Sequence, residues 1–246
     1  MEKIFKNIVG SIAALALMVT FATPSYSDFF VDGVGGLSIG VVGSAAKFTS
    51  KGTETEGLED PSRSEINRGD VSKNVEYGAV FVEISGGTEG GGGAYTVGLE
   101  YVPGSATIGT KSREDTNAGA TGGTAEADTG TSTGKAEVEN WTTFYVEPAY
   151  MANDNVGIYA KLGVSYLDIN TLESLHTSST YPNSDAWGGV YGIGLKAKTN
   201  FGLFFKLSYE KTEFETIDLE STSGNKNKIS AKPELESARL ALGFNF

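Results

Sequence analysis

Few residues in this sequence could carry chemistry, because its 246 residues include no cysteine and only one histidine, His176. The lack of cysteine excludes disulfides, thiolate zinc sites and cysteine nucleophiles. Serine-based hydrolysis needs a histidine that is oriented by an acid, and His176 falls in a polar stretch that we predict to be a loop. Asp168 and Glu173 add only a weak carboxylate set for a metal ion. We therefore predict no catalytic residue, no cofactor and no metal site.

Charge and hydropathy exclude two further classes of protein. The formal net charge is -12, which repels nucleic-acid phosphates, and neutralising those phosphates supplies much of the affinity in nucleic-acid complexes. The mean hydropathy is -0.16, and the chain has a single long apolar run. A helical membrane protein with several spans would need repeated runs of about 20 apolar residues. We predict neither a nucleic-acid partner nor a helical bundle in a membrane.

The apolar run from Ile8 to Ala22 has the features of a secretory signal peptide. Lys3 and Lys6 precede it, and Pro24 and small residues follow it. This arrangement is typical of an exported protein, and the run is too short for a membrane span. We predict three parts: a cleaved signal peptide at 1–27, a short periplasmic segment at 28–36 and one domain at 37–246.

Eight segments of the mature chain alternate apolar and polar residues with a period of two, which is typical of strands with two different faces. In the fifth, Ile158 and Leu162 oppose Lys161, whereas in the second the run around Phe81 is apolar on both faces. The segments are Leu37 to Phe48, Asn74 to Ser85, Ala94 to Val102, Glu137 to Tyr150, Val156 to Asp168, Ala186 to Lys198, Gly202 to Glu213 and Leu235 to Phe246.

Short and long connections alternate between these segments. The short ones lie at 86–93, 151–155 and 199–201, and the long polar ones at 49–73, 103–136, 169–185 and 214–234. This alternation is the pattern of an outer-membrane β-barrel, with short periplasmic turns and long extracellular loops. A soluble, secreted β-sandwich or solenoid is the alternative fold. It requires no such alternation, so we predict an all-β, eight-stranded antiparallel up-and-down transmembrane barrel with four long extracellular loops.

Eight charged residues fall on the predicted inner face. We interpret them as a network of salt bridges in the lumen, because buried charges need partners and a barrel of eight strands is filled by side chains. A narrow conduit gated by the same pairs is the alternative. Many of the 33 glycines also fall on this face, where they would make room. The charged residues are Glu83, Glu100, Glu147, Glu210, Lys161, Lys196, Lys206 and Arg239.

The sequence ends on an alternating strand in which Leu240, Leu242, Phe244 and Phe246 share one face. This ending resembles the last strand of bacterial outer-membrane β-barrel proteins. The chain from about residue 35 onward is similar to the eight-stranded group that includes opacity-like surface antigens and the transmembrane domain of outer-membrane protein A. In that group the last strand and its terminal Phe are read by the barrel-assembly machinery. The resemblance implies the same role for Leu240, Leu242, Phe244 and Phe246.

The resemblance also implies a location in the outer membrane of a Gram-negative bacterium, in contact with its lipids and lipopolysaccharide. We expect a structural, surface-exposed protein that presents acidic loops for adhesion, for contact with host or phage, or for envelope integrity. A narrow, porin-like conduit for small solutes is the alternative function. A lipid A-modifying enzyme is more remote, since His176 would be its only histidine.

Overall fold

The computed structural model describes residues 36–56, 65–87, 91–115, 130–172, 180–222 and 227–246. The predicted signal peptide, residues 28–35, Glu173 and His176 lie outside these ranges. Within them, no helix has the length and apolar character that a membrane crossing requires. The elements are β1 (Gly36–Glu56), β2 (Glu65–Gly87), β3 (Gly92–Val102), β4 (Ala106–Asp115), β5 (Gly130–Met151), β6 (Val156–Thr171), β7 (Ser184–Lys198), β8 (Leu203–Phe214), β9 (Ile217–Glu220) and β10 (Lys228–Asn245).

Eight of these strands form a closed antiparallel ring in the order β1-β2-β3-β5-β6-β7-β8-β10, and β10 pairs back with β1. The closing register is unbroken from Ser38 opposite Asn245 to Thr55 opposite Lys228. Where all eight strands pair, the sheet has no open edge. The predicted eight-stranded antiparallel barrel is confirmed, and the sandwich is ruled out.

β4 and β9 extend the wall of the barrel beyond β3 and β8. β5 pairs with β3 along its second half and with β4 along its first half, so β4 continues the line of β3. β9 pairs with the start of β10 in the same way. The predicted connection at 49–73 was too long, because β1 and β2 stay paired as far as Glu56 opposite Glu65. Its polar residues hide the alternation, although the backbone pairing continues.

The two ends of the barrel differ in their connections. At the end that we call lower, short turns join β5 to β6 and β7 to β8. In the first, Oδ1 of Asn153 accepts hydrogen bonds from the backbone N–H groups of Asn155 (2.8 Å) and Val156 (3.0 Å), a side-chain arrangement that fixes tight turns. In the second, Gly202 has a φ of 96°, which favours glycine. The long connections are at the upper end.

The outer face of the lower half is apolar. Large side chains that point outward here are strongly exposed, for example Ile193 at 70% and Ile158 at 58%. In β2, Val80 points outward and Phe81 inward, which resolves the segment whose faces the sequence left unclear. We call this surface the apolar band; it includes Ile39, Val41, Val80, Val97, Phe144, Ile158, Leu162, Val164, Ile193, Leu195, Phe205, Leu207, Leu240 and Leu242.

Glycines on the inner face lie directly opposite large side chains of the neighbouring strand. A Cβ atom at Gly98 would overlap the ring of Tyr145, and one at Gly194 would overlap Tyr159. The absence of a side chain at each glycine therefore leaves the space that the neighbouring ring occupies. The cross-strand pairs are Gly98 with Tyr145, Gly194 with Tyr159, Gly40 with Phe81, Gly243 with Phe204 and Gly188 with Phe214.

Candidate functional site

The lower lumen, which is the interior at the level of the apolar band, holds all eight charged residues of the predicted inner face. Seven are almost completely buried, and the side chain of Lys196 is 13% exposed. They come from seven strands of the ring, so no single strand specifies the cluster. Four carboxylates face four cations, so the formal charges balance. They are Glu83, Glu100, Glu147, Glu210, Lys161, Lys196, Lys206 and Arg239.

Lys206 is the centre of one group of ion pairs. Its Nζ lies 2.6 Å from an Oε2 of both Glu83 and Glu147. The hydroxyl of Tyr145 donates to Oε2 of Glu83 at 3.0 Å. Oε1 of Glu83 accepts no hydrogen bond from the described residues, but it lies 3.7 Å from Nζ of Lys196. Each buried carboxylate here has a cation within reach, which is the condition for keeping a charge away from water.

Arg239 is the centre of the second group. Its guanidinium donates to Glu100 and, at 2.6 Å, to Glu210. Nζ of Lys161 lies 3.1 Å from Glu210 and 3.4 Å from Glu100. Nε of Arg239 also donates to the hydroxyl of Ser44 at 3.1 Å. Two cations and two carboxylates thus alternate around the lumen, and the planar guanidinium holds the carboxylates in fixed positions.

Aromatic rings fill the space between and below the two groups. Nζ of Lys161 lies 4.2 Å from the centroid of the Tyr145 ring, and Phe81 and Phe204 meet across the lumen at 6.1 Å. The cavity that remains among the charged groups has a volume of about 20 Å³. One water molecule needs at least roughly 10–15 Å³ of this kind of volume. The cavity among the charged groups can therefore hold about one water molecule.

The upper lumen is apolar. One cluster joins Leu167, Ile169, Ala186, Phe214 and Ile217, and another joins Ala46, Phe48 and Leu235. The ring of Trp141 packs against both clusters and lies 5.0 Å from Tyr77 and 6.3 Å from Phe214. Its Nε1 donates to Ser165 at 3.2 Å. Trp141 thus lies at the boundary between the charged lower lumen and the apolar upper lumen.

The outer face becomes polar at the same boundary. Lys211 lies 2.9 Å from Glu213 and 3.1 Å from Glu234. The tyrosines at the top of the apolar band point their hydroxyls toward carboxylates above them: Tyr191 to Glu213 at 2.7 Å, Tyr209 to Glu236 at 3.1 Å and Tyr166 to Asp168 at 2.8 Å. This belt of tyrosines and carboxylates marks the upper limit of the apolar band.

The residues predicted as an assembly signal lie at the lower end of the band. Leu240, Leu242 and Phe244 point outward from β10, and Phe246 is 69% exposed. The rings of Phe244 and Phe246 meet edge to face at 5.2 Å. The backbone N–H of Phe246 donates to the carbonyl of Leu37 at 2.9 Å, so the last residue of the chain is tied to the first strand.

Sequence reasoning missed the aromatic part of the lower lumen. Tyr145 and Tyr159 are 2% and 5% exposed, and both face inward beside the charged groups. The sequence does place each tyrosine at an inward position of its strand, and a neighbouring strand has a glycine at an inward position. The register that brings ring and glycine together cannot be read from one strand alone.

No group of three or more metal-ligating side chains occurs among the described residues. Asp168 lies on the outer face, where its Oδ2 accepts from the side-chain amide of Asn140 at 2.7 Å. Glu173 and His176, which the sequence offered as its companions, are outside the described ranges. In the part of the chain that the structure describes, the convergent polar side chains are those of the lower lumen.

Comparison with known proteins gives no match to any family model and no match to a curated protein sequence. Many solved structures are similar to this chain, and three of them illustrate the likeness. The attachment invasion locus protein Ail of Yersinia pestis is 12% identical over 83% of this chain and 97% of that chain, with a TM-score of 0.34. The outer membrane protein OprG of Pseudomonas aeruginosa is 12% identical over 84% and 97%, with a TM-score of 0.44.

The outer membrane protease OmpT of Escherichia coli is 9% identical over 86% of this chain and 97% of that chain, with a TM-score of 0.43. At such identities a likeness concerns the fold alone. The eight-stranded barrel of this chain is established by its own strand pairing, from β1 around to β10 and back to β1.

Proposed function

We propose that this chain is an integral outer-membrane protein of a Gram-negative bacterium, exported by its N-terminal segment, with a closed lumen, no catalytic role and an upper wall presented for surface contact. One observation carries the proposal: the polarity of the wall reverses on both faces at a single level. Below it the outside is apolar and the inside charged; above it the outside is charged and the inside apolar.

Such a reversal fits a barrel whose lower half is surrounded by lipid and whose upper half is surrounded by water. Exposure of apolar side chains such as Ile193 and Leu207 to water would be unfavourable. Transmembrane barrels carry such side chains in an outward apolar band about 25 Å tall, which lipid surrounds. The belt of Tyr166, Tyr191 and Tyr209 lies where aromatic residues collect at membrane interfaces. In this proposal the lipids and the lipopolysaccharide of the outer leaflet contact the band and its belt.

The closed lower lumen supports a structural rather than a conducting role. Opening it would require separating Arg239 and Lys206 from carboxylates 2.6 Å away, which leaves uncompensated buried charges. With the lumen closed, contact with the outside belongs to the upper wall and its connections, because binding residues are typically carried by loops on a rigid scaffold. Adhesion, contact with host or phage, and envelope integrity are the roles compatible with this arrangement.

Three measurements on the intact protein test the proposal together. Fractionation should recover it in the outer membrane, its migration on a gel should shift when it is heated, and planar bilayers should show negligible conductance. Steady channel openings would replace the closed lumen by the narrow conduit. Recovery in the soluble periplasmic fraction, with no heat-dependent migration, would overturn the membrane assignment.

The proposal includes an assembly role for the outward face of β10. Phe246 and Phe244 form an exposed aromatic pair at the lower end, where the barrel-assembly machinery could reach them. Phe246→Ser should therefore reduce the amount of protein in the outer membrane. Phe201→Ser, at another exposed aromatic of the same end (68% exposed), is the matched control. Equal losses in the two variants would contradict a specific signal.

A further inference from the structure

The wall of the upper half is not closed between β2 and β4. β2 pairs with β1 from Glu65 to Ser85 but with β3 only from Val80 to Gly87. Above Val80 the next strand of the wall is β4, and β4 pairs with β5 alone within the described part of the chain. Two strand edges therefore face each other across a seam.

Among the described residues, the contacts across the seam lie at its lower end. Nζ of Lys73 donates to the backbone carbonyl of Thr107 at 2.9 Å, so a side chain crosses where a backbone ladder would otherwise run. Just inside, Ile108 packs with Val75 and Tyr77 on the apolar cluster of Phe48 and Leu235. Above Lys73, the edge formed by residues 68–72 of β2 pairs with no strand among the described residues. At about 3.3 Å per residue its length is about 16 Å.

The backbone of this edge is regular, and its charged side chains restrict which segment could pair with it. Residues 68–72 contain no proline, and their register with β1 is free of bulges, so the edge remains flat and regular. An exposed regular edge is a template for the pairing of another extended segment. The tip of the same strand carries Ile66, whose side chain is 62% exposed, above the level of the apolar band.

The outward side chains of the edge have a definite order of charge. Arg68 and Asp70 lie on the same face of β2 with Gly69 between them, and both are exposed. Neither forms an ion pair within the described residues. A strand paired with this edge would place its own side chains directly opposite them, where opposite charges stabilise the pair and like charges destabilise it.

We propose that residues 68–72 of β2 form a docking edge for an extended segment of a partner protein, which adds to the wall as a strand antiparallel to β2. The segment that fits carries an acidic residue opposite Arg68, a basic residue opposite Asp70 and an apolar residue opposite Ile66. Backbone hydrogen bonds supply the affinity and the alternate side chains supply the selection. This inference rests on the proposed function, because the edge is accessible only if the upper wall stands outside the membrane.

A pair of labelled synthetic peptides tests the docking edge with the purified full chain in lipid nanodiscs. Peptide TVKTDTV places Lys opposite Asp70 and Asp opposite Arg68, and peptide TVDTKTV reverses the two charges. Fluorescence anisotropy should show saturable binding of the first peptide, about tenfold tighter than the second, since two cross-strand pairs change sign. In the double variant R68D/D70R the preference should reverse. Absence of saturable binding, or a preference that the double variant leaves unchanged, overturns the proposal.

A proline scan adds a test that depends on the backbone. Successive residues of a strand direct their N–H groups to opposite edges, so Gly69→Pro and Asp70→Pro remove one N–H each, on different sides. The variant that affects the free edge should lose peptide binding while it keeps its heat-dependent migration. Retained binding in both variants overturns the docking edge. A barrel that fractionates to the outer membrane, does not conduct and binds neither peptide leaves the proposed function intact and removes only this inference.

Discussion

Lys206 and Phe214 both point into the lumen from β8, yet their surroundings are opposite in kind. Lys206 lies between the carboxylates of Glu83 and Glu147, whereas Phe214 packs among Leu167, Ala186 and Ile217. The outward neighbours have the opposite polarity: apolar Phe205 lies next to Lys206, and charged Glu213 lies next to Phe214. The apolar face of the wall is therefore outward in the lower half and inward in the upper half.

The two halves are held together by different interactions. The upper half has the organisation of a water-soluble barrel, with an apolar core that is removed from water. The lower half uses its apolar residues outward, so its interior depends on charges that stabilise the barrel only while every member keeps its partners. We expect the lower half to tolerate the loss of a single partner worst.

Removal of one lower cation should have the largest effect. Lys206→Met leaves Glu83 and Glu147 without their shared partner and should cost about 3–5 kcal/mol of the free energy of unfolding. Urea unfolding in lipid vesicles, followed by intrinsic fluorescence, measures the loss. Lys211→Met on the outer belt is the control, and its midpoint should not move. Equal shifts in the two variants would show that the lower lumen is as tolerant as the surface.

Removal of an upper ring should cost slightly less. Phe214→Ala opens a cavity in the apolar upper lumen, where such truncations cost about 3 kcal/mol or more. Phe205→Ala, on the outer face of the same strand, gives the matched change at a position that is 44% exposed. The same unfolding assay compares them. If the upper lumen were a hydrated vestibule rather than a core, Phe214→Ala would cost no more than Phe205→Ala.

The glycines opposite inner rings should behave alike in both halves. Gly98→Ala in the lower lumen and Gly188→Ala in the upper each force a Cβ onto a ring, Tyr145 and Phe214 respectively. Overpacking of this kind typically costs about 1–3 kcal/mol. Gly189→Ala is the control, because its Cβ would meet nothing within 4 Å. The temperature midpoint of the shift in gel migration ranks the three variants. An unchanged midpoint in Gly98→Ala would contradict the packing of Tyr145 against this glycine.

The smallest effect belongs to the outside of the upper wall. A hydrogen bond from Lys135 (2.8 Å) lowers the pKa of the Glu137 carboxyl below its ordinary value. The stabilisation is therefore present above the ordinary carboxyl pKa and is lost as the pH falls through the lowered value. Lys135→Met should raise the pKa of Glu137 toward that ordinary value, which NMR titration of a labelled sample can follow. An unchanged titration would mean that the contact does not persist in solution.

Alternation alone was enough to place the eight strands of the ring, because a strand between an apolar and a polar environment must alternate. It was also enough to put Glu83, Lys206 and Arg239 on the inner face. It could not say which carboxylate meets which cation, since Lys206 and Glu83 are brought together by the closing of the ring rather than by adjacency. That pairing depends on register and barrel closure, which involve strands distant in sequence.

The upper wall was harder to predict for a physical reason. Above the boundary the phase of polarity reverses, so Phe214 and Ile169 continue inward while Lys211 and Asp168 continue outward. Along β6 and β8 the apolar residues therefore move from the outer face to the inner face. A prediction that follows one apolar face ends the strand at that point. Between Thr49 and Glu56 both faces are polar, and nothing in the side chains reports the backbone ladder.

The closure of β10 on β1 has a kinetic consequence. Asn245 donates a hydrogen bond to Ser38 across a sequence separation of 207 residues, so forming this contact closes a loop of nearly the whole barrel. Folding rates fall as contacting residues become more distant in sequence. Until the ring closes, β1 and β10 each carry an open edge that could pair with another molecule. Closure of the ring should therefore be both the slowest step of assembly and the step before which aggregation is most favoured. An assembly factor that acts on the outward face of β10 would help most at this stage.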